Sequence, residues 1–235
     1  EDRPDPSILT PADAIVKVVA ACVCGSDLWR YRGINPVPEP VPIGHEMVGI
    51  VEAVGADVRS LRVGDFVISP FTASDNTCPH CRIGMQSACE KVTYFGGPDA
   101  DGLPTDACQG EYVRVPMADG TLVSLRDQPS DDLIHSLLTL ADVMGTGWHA
   151  AVSAGVREGD TVVVVGDGAV GLCGVLAAAR MGAERIVAMS RYDDRQSVAR
   201  RFGATDVVAT RGAEGVAEVL ELTGGVGADA VLECV

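Results

Sequence analysis

Three groups of residues in this chain carry side chains that bind metals or anions. Gly44, His45 and Glu46 close the prolyl stretch NPVPEPVPI and precede glycines at 49 and 55. An imidazole beside a carboxylate at the end of so stiff an approach can be held toward a metal, and the two glycines let the following strand turn tightly behind them. Cys78, Cys81 and Cys89 form the second group. A tight CxxC pair with a third Cys nearby reads as metal binding more readily than as a redox pair. The third group is GDGAVG, with Gly166, Gly168 and Gly171, directly after the apolar run TVVVV. A strand before the glycines and a helix opening at Ala169 and Val170 give the context of a dinucleotide site. The turn is tight, the backbone can approach a pyrophosphate, and helix N–H groups point at the anion.

The end of the second strand decides which dinucleotide. NAD sites carry an Asp or Glu about 20 residues after the glycines, to bind the ribose 2′-hydroxyl. Ser190 and Arg191 stand there instead. A carboxylate would repel a 2′-phosphate, whereas a hydroxyl followed by a guanidinium can hold one, so NADP(H) is favoured over NAD(H), with Arg195 as a second cation. Asp193 and Asp194 are close by and oppose that reading, and Arg191 as an ordinary solvated charge is its rival.

The elements that must position these groups change in style along the chain. Between Ala14 and about Arg126 lie short β-type runs, AIVKVVA, MVGIVEAV, DFVISPF, EYVRVPM and TLVSL, punctuated by Gly and Pro. Such runs predict an all-β barrel or sandwich. Ser130, followed by Asp131 and Asp132, predicts an N-cap and an acidic first turn, with Leu133, Leu137, Leu138 and Leu140 on a helical face running toward residue 155. Beyond, strand and helix alternate strictly. TVVVV, RIVAMS, DVVAT and ADAVLECV read as strands. GAVGLCGVLAAARMGA, RQSVARRFGA (ended by Gly203) and AEGVAEVLELTGG read as helices, the last with Val216, Val219 and Leu220 spaced for burial. That order predicts a parallel, doubly wound sheet.

The 235 residues are enough for two domains, each with its own core. A formal net charge of −15 argues against nucleic acid or an anionic membrane as partner, since both need a basic face. The acidic, prolyl opening EDRPDPSILTPAD is unlike a signal peptide, and no apolar run reaches the roughly 18 to 20 residues of a spanning helix; a soluble cytoplasmic protein is expected. Eight cysteines without an export signal do not suggest a disulfide framework. Cys22, Cys108, Cys173 and Cys234 are expected to be buried small apolar residues, and His80, His135 and His149 to be structural.

Taken together, CGSD at residues 24–27, GHE with its following glycines, the cysteine lobe and GDGAVG resemble the zinc-dependent medium-chain dehydrogenases of the alcohol dehydrogenase type, over nearly the whole chain. The resemblance implies an α/β plus all-β molecule. A GroES-like β-barrel catalytic domain would cover residues 1–152, with a zinc lobe at 75–89 and linking helices from about 131. A partial Rossmann domain would cover 153–235. It implies a catalytic zinc held by Cys24, His45 and Asp142, with a fourth position open to substrate. Glu46 would stand behind the ligands or reach the metal when water leaves, and Asp27 would orient His45 by accepting its other N–H. Ser26 would take the first proton step. Many relatives carry a His near Trp29, and an indole cannot accept a proton, so the relay must differ here.

In the structural zinc lobe the family pattern is CxxCxxCx7C. Cys78, Cys81 and Cys89 fill its last three places and Asp75 the first. Three thiolates and a carboxylate are chemically possible at zinc, His80 is a less natural substitute, and an empty lobe with free thiols is the alternative. The implied activity is hydride transfer between an alcohol and its aldehyde or ketone and a nicotinamide cofactor. The rivals are a zinc-free quinone or enoyl reductase on the same scaffold and a non-catalytic zinc-binding relative. The family also implies a homo-oligomer and further strands beyond Val235, so the chain is expected to be a fragment whose activity alone is doubtful.

Overall fold

The structure is a computed structural model that describes residues 2–37, 39–125 and 127–235. The chain divides into two compact units, Glu1–Asp142 and Val143–Val235, whereas the family resemblance places the boundary at 152/153. Helix Val143–Ser153 accounts for the difference. Its Gly147 brings backbone against backbone at Cys173 and Gly174, where any Cβ would sit 2.6 Å from the Gly174 nitrogen, so this helix packs within the second unit.

In the first unit the strands are β1 (Ala14–Ala21), β2 (Met47–Val54), β3 (Phe66–Ser69), β4 (Thr72–Ala73), β5 (Thr93–Tyr94), β6 (Tyr112–Val115) and β7 (Val123–Ser124). The apolar, β-branched runs become a five-stranded sheet in the order β6-β1-β2-β3-β7, while the two-residue strands β4 and β5 pair separately. Ala14, Val16, Met47, Val51, Val67, Val113 and Val115 fill one core. Gly49 and Gly55 serve close approach rather than turning, contrary to expectation. A Cβ on Gly49 would collide with the Lys17 carbonyl across β1, and one on Gly55 with the Pro11 carbonyl.

The short helices are α1 (Asp27–Tyr31), α2 (Pro79–Arg82), α3 (Ala118–Thr121) and α4 (Ile134–Leu138). Ser130 occupies an N-cap position with extended backbone but makes no side-chain cap bond. Leu138 is buried, yet Leu133 and Leu140 are exposed, because α4 is flanked by 3₁₀ turns at Asp131–Leu133 and Thr139–Ala141 that break the 3.6-residue period. Leu138 and Ala141 pack on Val48, Phe66 and Ile68, and the Phe71 N–H donates to the Ala141 carbonyl at 3.1 Å. Burial of such a Leu, Ile or Phe contributes about 1.5–3 kcal/mol each, and the contact fixes the segment that presents Asp142.

One buried polar network was not legible beforehand. Arg114 on β6 is 1% exposed. Its Nε and Nη2 donate to the two oxygens of Asp13 at 2.7 and 3.1 Å, Nη2 also to Asp99 at 2.9 Å, and Nη1 to the Pro104 carbonyl at 3.0 Å. Burial alone would raise the Asp13 carboxyl, but the guanidinium and the Thr10 and Leu9 donors hold it below its ordinary value.

The second unit contains α5 (Val143–Ser153), β8 (Thr161–Val165), α6 (Ala169–Arg180), β9 (Arg185–Met189), α7 (Asp193–Phe202), β10 (Asp206–Val208), α8 (Gly212–Leu222) and β11 (Ala230–Glu233). The strands pair in parallel in the order β10-β9-β8-β11. Val162 and Val164 enter one core with residues of α5, α6 and α7, while Val163 enters another with Val219 and Leu222 of α8. That two-sided cover is why β8 is wholly apolar. Gly203, at φ +122°, ends α7 as the sequence suggests. On α8, Val219 packs on the sheet, but Val216 and Leu220 are exposed. Among the described residues no helix is long and apolar enough to cross a membrane.

Candidate active site and nucleotide loop

Cys24 lies in the turn before α1, His45 and Glu46 lie just before β2, and Asp142 follows the 3₁₀ turn pinned to β3. Their ligand atoms all fall within 4.8 Å of one another. His45 Nδ1 faces Asp27 Oδ1 at 3.5 Å, and Nε2 faces Asp142 Oδ2 at 3.7 Å and Glu46 Oε1 at 3.8 Å. Asp27 is itself tied down, its Oδ2 accepting the Cys24 N–H at 2.9 Å and the Gln109 side-chain amide at 3.0 Å.

Gln109 went unnoticed in the sequence. Its amide also donates to the Cys22 carbonyl at 3.1 Å, and its backbone N–H donates to the Ile43 carbonyl at 3.1 Å. It rests against Gly44, where φ is +98° and a Cβ would lie 2.5 Å from Gln109 Cγ. The glycine of GHE therefore makes room for the residue that anchors Asp27. No spacing rule connects positions 82 residues apart.

The donor set fits a divalent cation such as zinc. A thiol, an imidazole and two carboxylates converge, and Glu46, 1% exposed, has one oxygen, Oε2, buried with no hydrogen-bond partner among the described residues. The electrostatics agree. The bond to Asp142 pushes His45 up to about 9 against the opposing effect of burial, with Cys24 and Asp27 adding to the rise. Burial and the Asp142 charge push Glu46 up as well. So much negative charge favours a proton on His45, which a bound metal would have to displace.

Asp75, Cys78, Cys81 and Cys89 also bring their ligand atoms within 4.8 Å of one another, all three thiols being buried. Asp75 Oδ1 accepts the N–H groups of Thr77 and Cys78 at 2.9 and 3.0 Å, which holds its carboxyl well below the usual range. Cys78 and Cys89 sulfurs are 3.9 Å apart. Burial pushes the Cys81 thiol up to about 12, while backbone N–H groups at Cys81 and Glu90 lower Cys78. This donor set also fits zinc. His80 is exposed and outside the cluster, as are His135 and His149. Cys108 and Cys173 are buried, whereas Cys22 and Cys234 are only partly so.

In the second unit Gly166 has φ +115°, and a Cβ on Gly171 would collide with the Gly166 carbonyl, so the turn closes onto the start of α6. A Cβ on Gly168 would meet nothing within 4 Å, which leaves open space where a pyrophosphate would approach. Ala169 and Val170 open α6 as expected. A cavity of about 360 Å³ is lined by Gly166, Ser190, Arg191, Thr210, Arg211 and Gly212. Two of the expected phosphate ligands have another partner. Ser190 Oγ donates to Asp167 Oδ2 at 3.0 Å, and Arg195 Nη1 donates to Asp167 Oδ1 at 2.8 Å. Arg191 has no ion pair among the described residues.

Comparisons with known proteins give the family. Residues 10–127 match the alcohol dehydrogenase GroES-like domain, and residues 169–235 match the zinc-binding dehydrogenase domain. The chain is 39% identical to zinc-type alcohol dehydrogenase B of Aspergillus flavus over 100% of its own length and 55% of that protein's. It is 39% identical to the medium chain reductase/dehydrogenase ucsI of Acremonium sp, covering 100% of this chain and 80% of the relative. Among solved structures, alcohol dehydrogenase TADH from Thermus sp. ATN1 superposes with a TM-score of 0.87 at 35% identity, over 100% of this chain and 66% of that one. The chain belongs to the zinc-type medium-chain alcohol dehydrogenase family, and it spans about half to four fifths of the length of these relatives.

Proposed function

We propose that the protein is a zinc-dependent oxidoreductase that transfers hydride between an alcohol and its aldehyde or ketone and a nicotinamide cofactor, with NADP(H) preferred. The convergence of Cys24, His45 and Asp142 beside the partnerless Glu46 oxygen carries this reading. Bound zinc supplies Lewis-acid polarisation of the substrate oxygen, and the nicotinamide supplies or accepts the hydride.

The chain's own residues do the rest. Cys24, His45 and Asp142 would hold the metal. Asp27, fixed by Gln109 and the Cys24 N–H, engages Nδ1 of His45 and so keeps Nε2 toward the site. Glu46 adds a buried carboxylate within reach of the same point. Ser26, exposed at the start of α1, offers a hydroxyl that takes up or returns the substrate proton. Trp29 is exposed and only donates, so the proton passes from Ser26 to solvent. A panel of primary and secondary alcohols, polyols and aldehydes, followed by nicotinamide absorbance, tests the reading; no turnover of any member by the zinc-loaded protein would refute it.

The lobe of Asp75, Cys78, Cys81 and Cys89 is assigned a structural zinc. Cys81→Ser is expected to lower bound zinc by about one per chain and to lower the melting temperature, as read by metal analysis and calorimetry. Unchanged zinc content would show that the lobe holds none.

Arg191 is assigned to the 2′-phosphate, because it borders the cavity at the end of β9 and has no ion pair among the described residues. A charge-assisted contact contributes about 1.5–3 kcal/mol, so Arg191→Ala is expected to reduce the kcat/KM preference for NADP over NAD by about tenfold or more. An unaltered ratio would exclude Arg191 from that role.

A further inference from the structure

Asp167 occupies a position inside GDGAVG that the dinucleotide motif leaves free, yet its side chain is only 10% exposed and doubly engaged. It accepts the Ser190 hydroxyl at 3.0 Å and the Arg195 guanidinium at 2.8 Å. Both partners are held from a second side. Gln196 Nε2 donates to the Ser190 carbonyl at 2.9 Å, and Arg195 lies over the Tyr192 ring at 5.4 Å from its centroid. One carboxylate from the glycine loop thus consumes the hydroxyl and the second cation that would otherwise face a phosphate at the end of β9. Arg191 and Arg211, on the cavity wall, have no ion pair among the described residues.

We propose that Asp167 is a specificity-determining residue that restrains selectivity for the 2′-phosphate. By neutralising Arg195 and occupying the Ser190 proton, it leaves discrimination to the two arginines that line the cavity, Arg191 and Arg211. This rests on the NADP(H) reading above. Burial alone would raise the Asp167 carboxyl, but Arg195 and Ser190 bring it below its ordinary value, so the restraint is ionised at neutral pH. Removing its charge leaves Arg195 in place with donors free, which strengthens attraction for a phosphate dianion.

The test uses 2′,5′-ADP and 5′-AMP as probes, titrated calorimetrically into the protein. They differ in the 2′-phosphate and contain no nicotinamide, so the readout is independent of metal and turnover. The quantity read is the selectivity ratio, the dissociation constant for 5′-AMP divided by that for 2′,5′-ADP. Asp167→Asn, nearly isosteric, is expected to raise this ratio about tenfold. Arg195→Ala, on a half-exposed side chain whose loss the fold tolerates, is expected to lower it about fivefold by leaving Asp167 uncompensated. The double variant is expected to return close to the starting ratio. An unchanged or lowered ratio in Asp167→Asn overturns the proposal, as does an unchanged ratio in Arg195→Ala or a gain that survives undiminished in the double variant. A starting protein that prefers 5′-AMP would instead refute the NADP(H) reading, while the changes between variants still decide the role of Asp167.

Discussion

His45→Ala is expected to reduce turnover by about a thousandfold or more while the chain stays folded. Lewis-acid stabilisation at a metal is worth several kcal/mol, and about 1.4 kcal/mol is a factor of ten in rate. His45 supplies the imidazole of the donor cluster, and its loss leaves only anionic ligands, a thiolate and carboxylates. The fold should survive, because the side chain is 20% exposed and belongs to no apolar core. Bound zinc should fall from about two to about one per chain, the remaining ion sitting in the cysteine lobe. Metal analysis and a nicotinamide assay on the same preparation check both halves. Turnover within tenfold of the unaltered protein would remove His45 and its metal from the mechanism, and a protein with full activity and no zinc would favour the zinc-free reductase reading. A pH dependence follows from the same cluster. His45, pushed up to about 9, binds metal only after losing its proton. Zinc affinity is therefore expected to rise with pH until about 9, with proton release on binding measurable by calorimetry in buffers of different ionisation enthalpy.

Arg114→Met is expected to destabilise the first unit by about 3–5 kcal/mol, because removing one partner of a buried ion pair leaves the other charge uncompensated. Two carboxylates are stranded here, Asp13 at 0% exposure and Asp99. Their pH dependence separates this cause from simple loss of packing. In the unaltered protein both carboxyls lie below their ordinary values, burial opposing and the Arg114 contact and backbone N–H bonds prevailing. Their contribution is thus fully present above the unfolded value of about 3.9 and is lost as pH falls through the lower folded values. In Arg114→Met that contribution shrinks. The Thr10 and Leu9 donors to Asp13 and the Leu103 and Asp101 N–H groups to Asp99 remain, but both carboxyls move up from their lowered values, so the destabilisation should be larger at pH 7 than at pH 4. Denaturant unfolding at pH 4 and pH 7 reads the difference. Equal destabilisation at both would assign the effect to packing, and none at either would show that the network contributes little.

How much of this was legible in the chain depends on distance along it. GHE, CGSD, CxxC with its third Cys, and GDGAVG are local patterns, and each expresses a local requirement: adjacent ligands, a tight loop, or a strand turning into a helix. The two-sided burial of β8 could be read from TVVVV for the same reason. Asp142 is different. Nothing near it marks it as a ligand; only the family resemblance suggested it, and only packing of Leu138 and Ala141 on β3 brings it to His45. The exposed Leu133 and Leu140 failed expectation because a periodicity argument assumes one continuous helix, and the chain uses three short turns. Gln109, Arg114 and Asp167 went unread for a related reason. A buried polar side chain is defined by its partners, and theirs lie 82, 101 and 28 residues away.

The sequence by itself determined which residue types were available for a metal or a pyrophosphate, the alternation of strands and helices from Thr161 onward, and the family. Those depend on residue type and short-range spacing, which survive in one dimension. The tertiary structure decided which carboxylates serve which partner: Asp27 behind His45, Asp13 and Asp99 around Arg114, and Asp167 on Ser190 and Arg195. In a chain with 33 acidic residues, charge alone cannot make that choice. Electrostatic pairing acts over a few ångströms of space, and only folding sets which groups come that close.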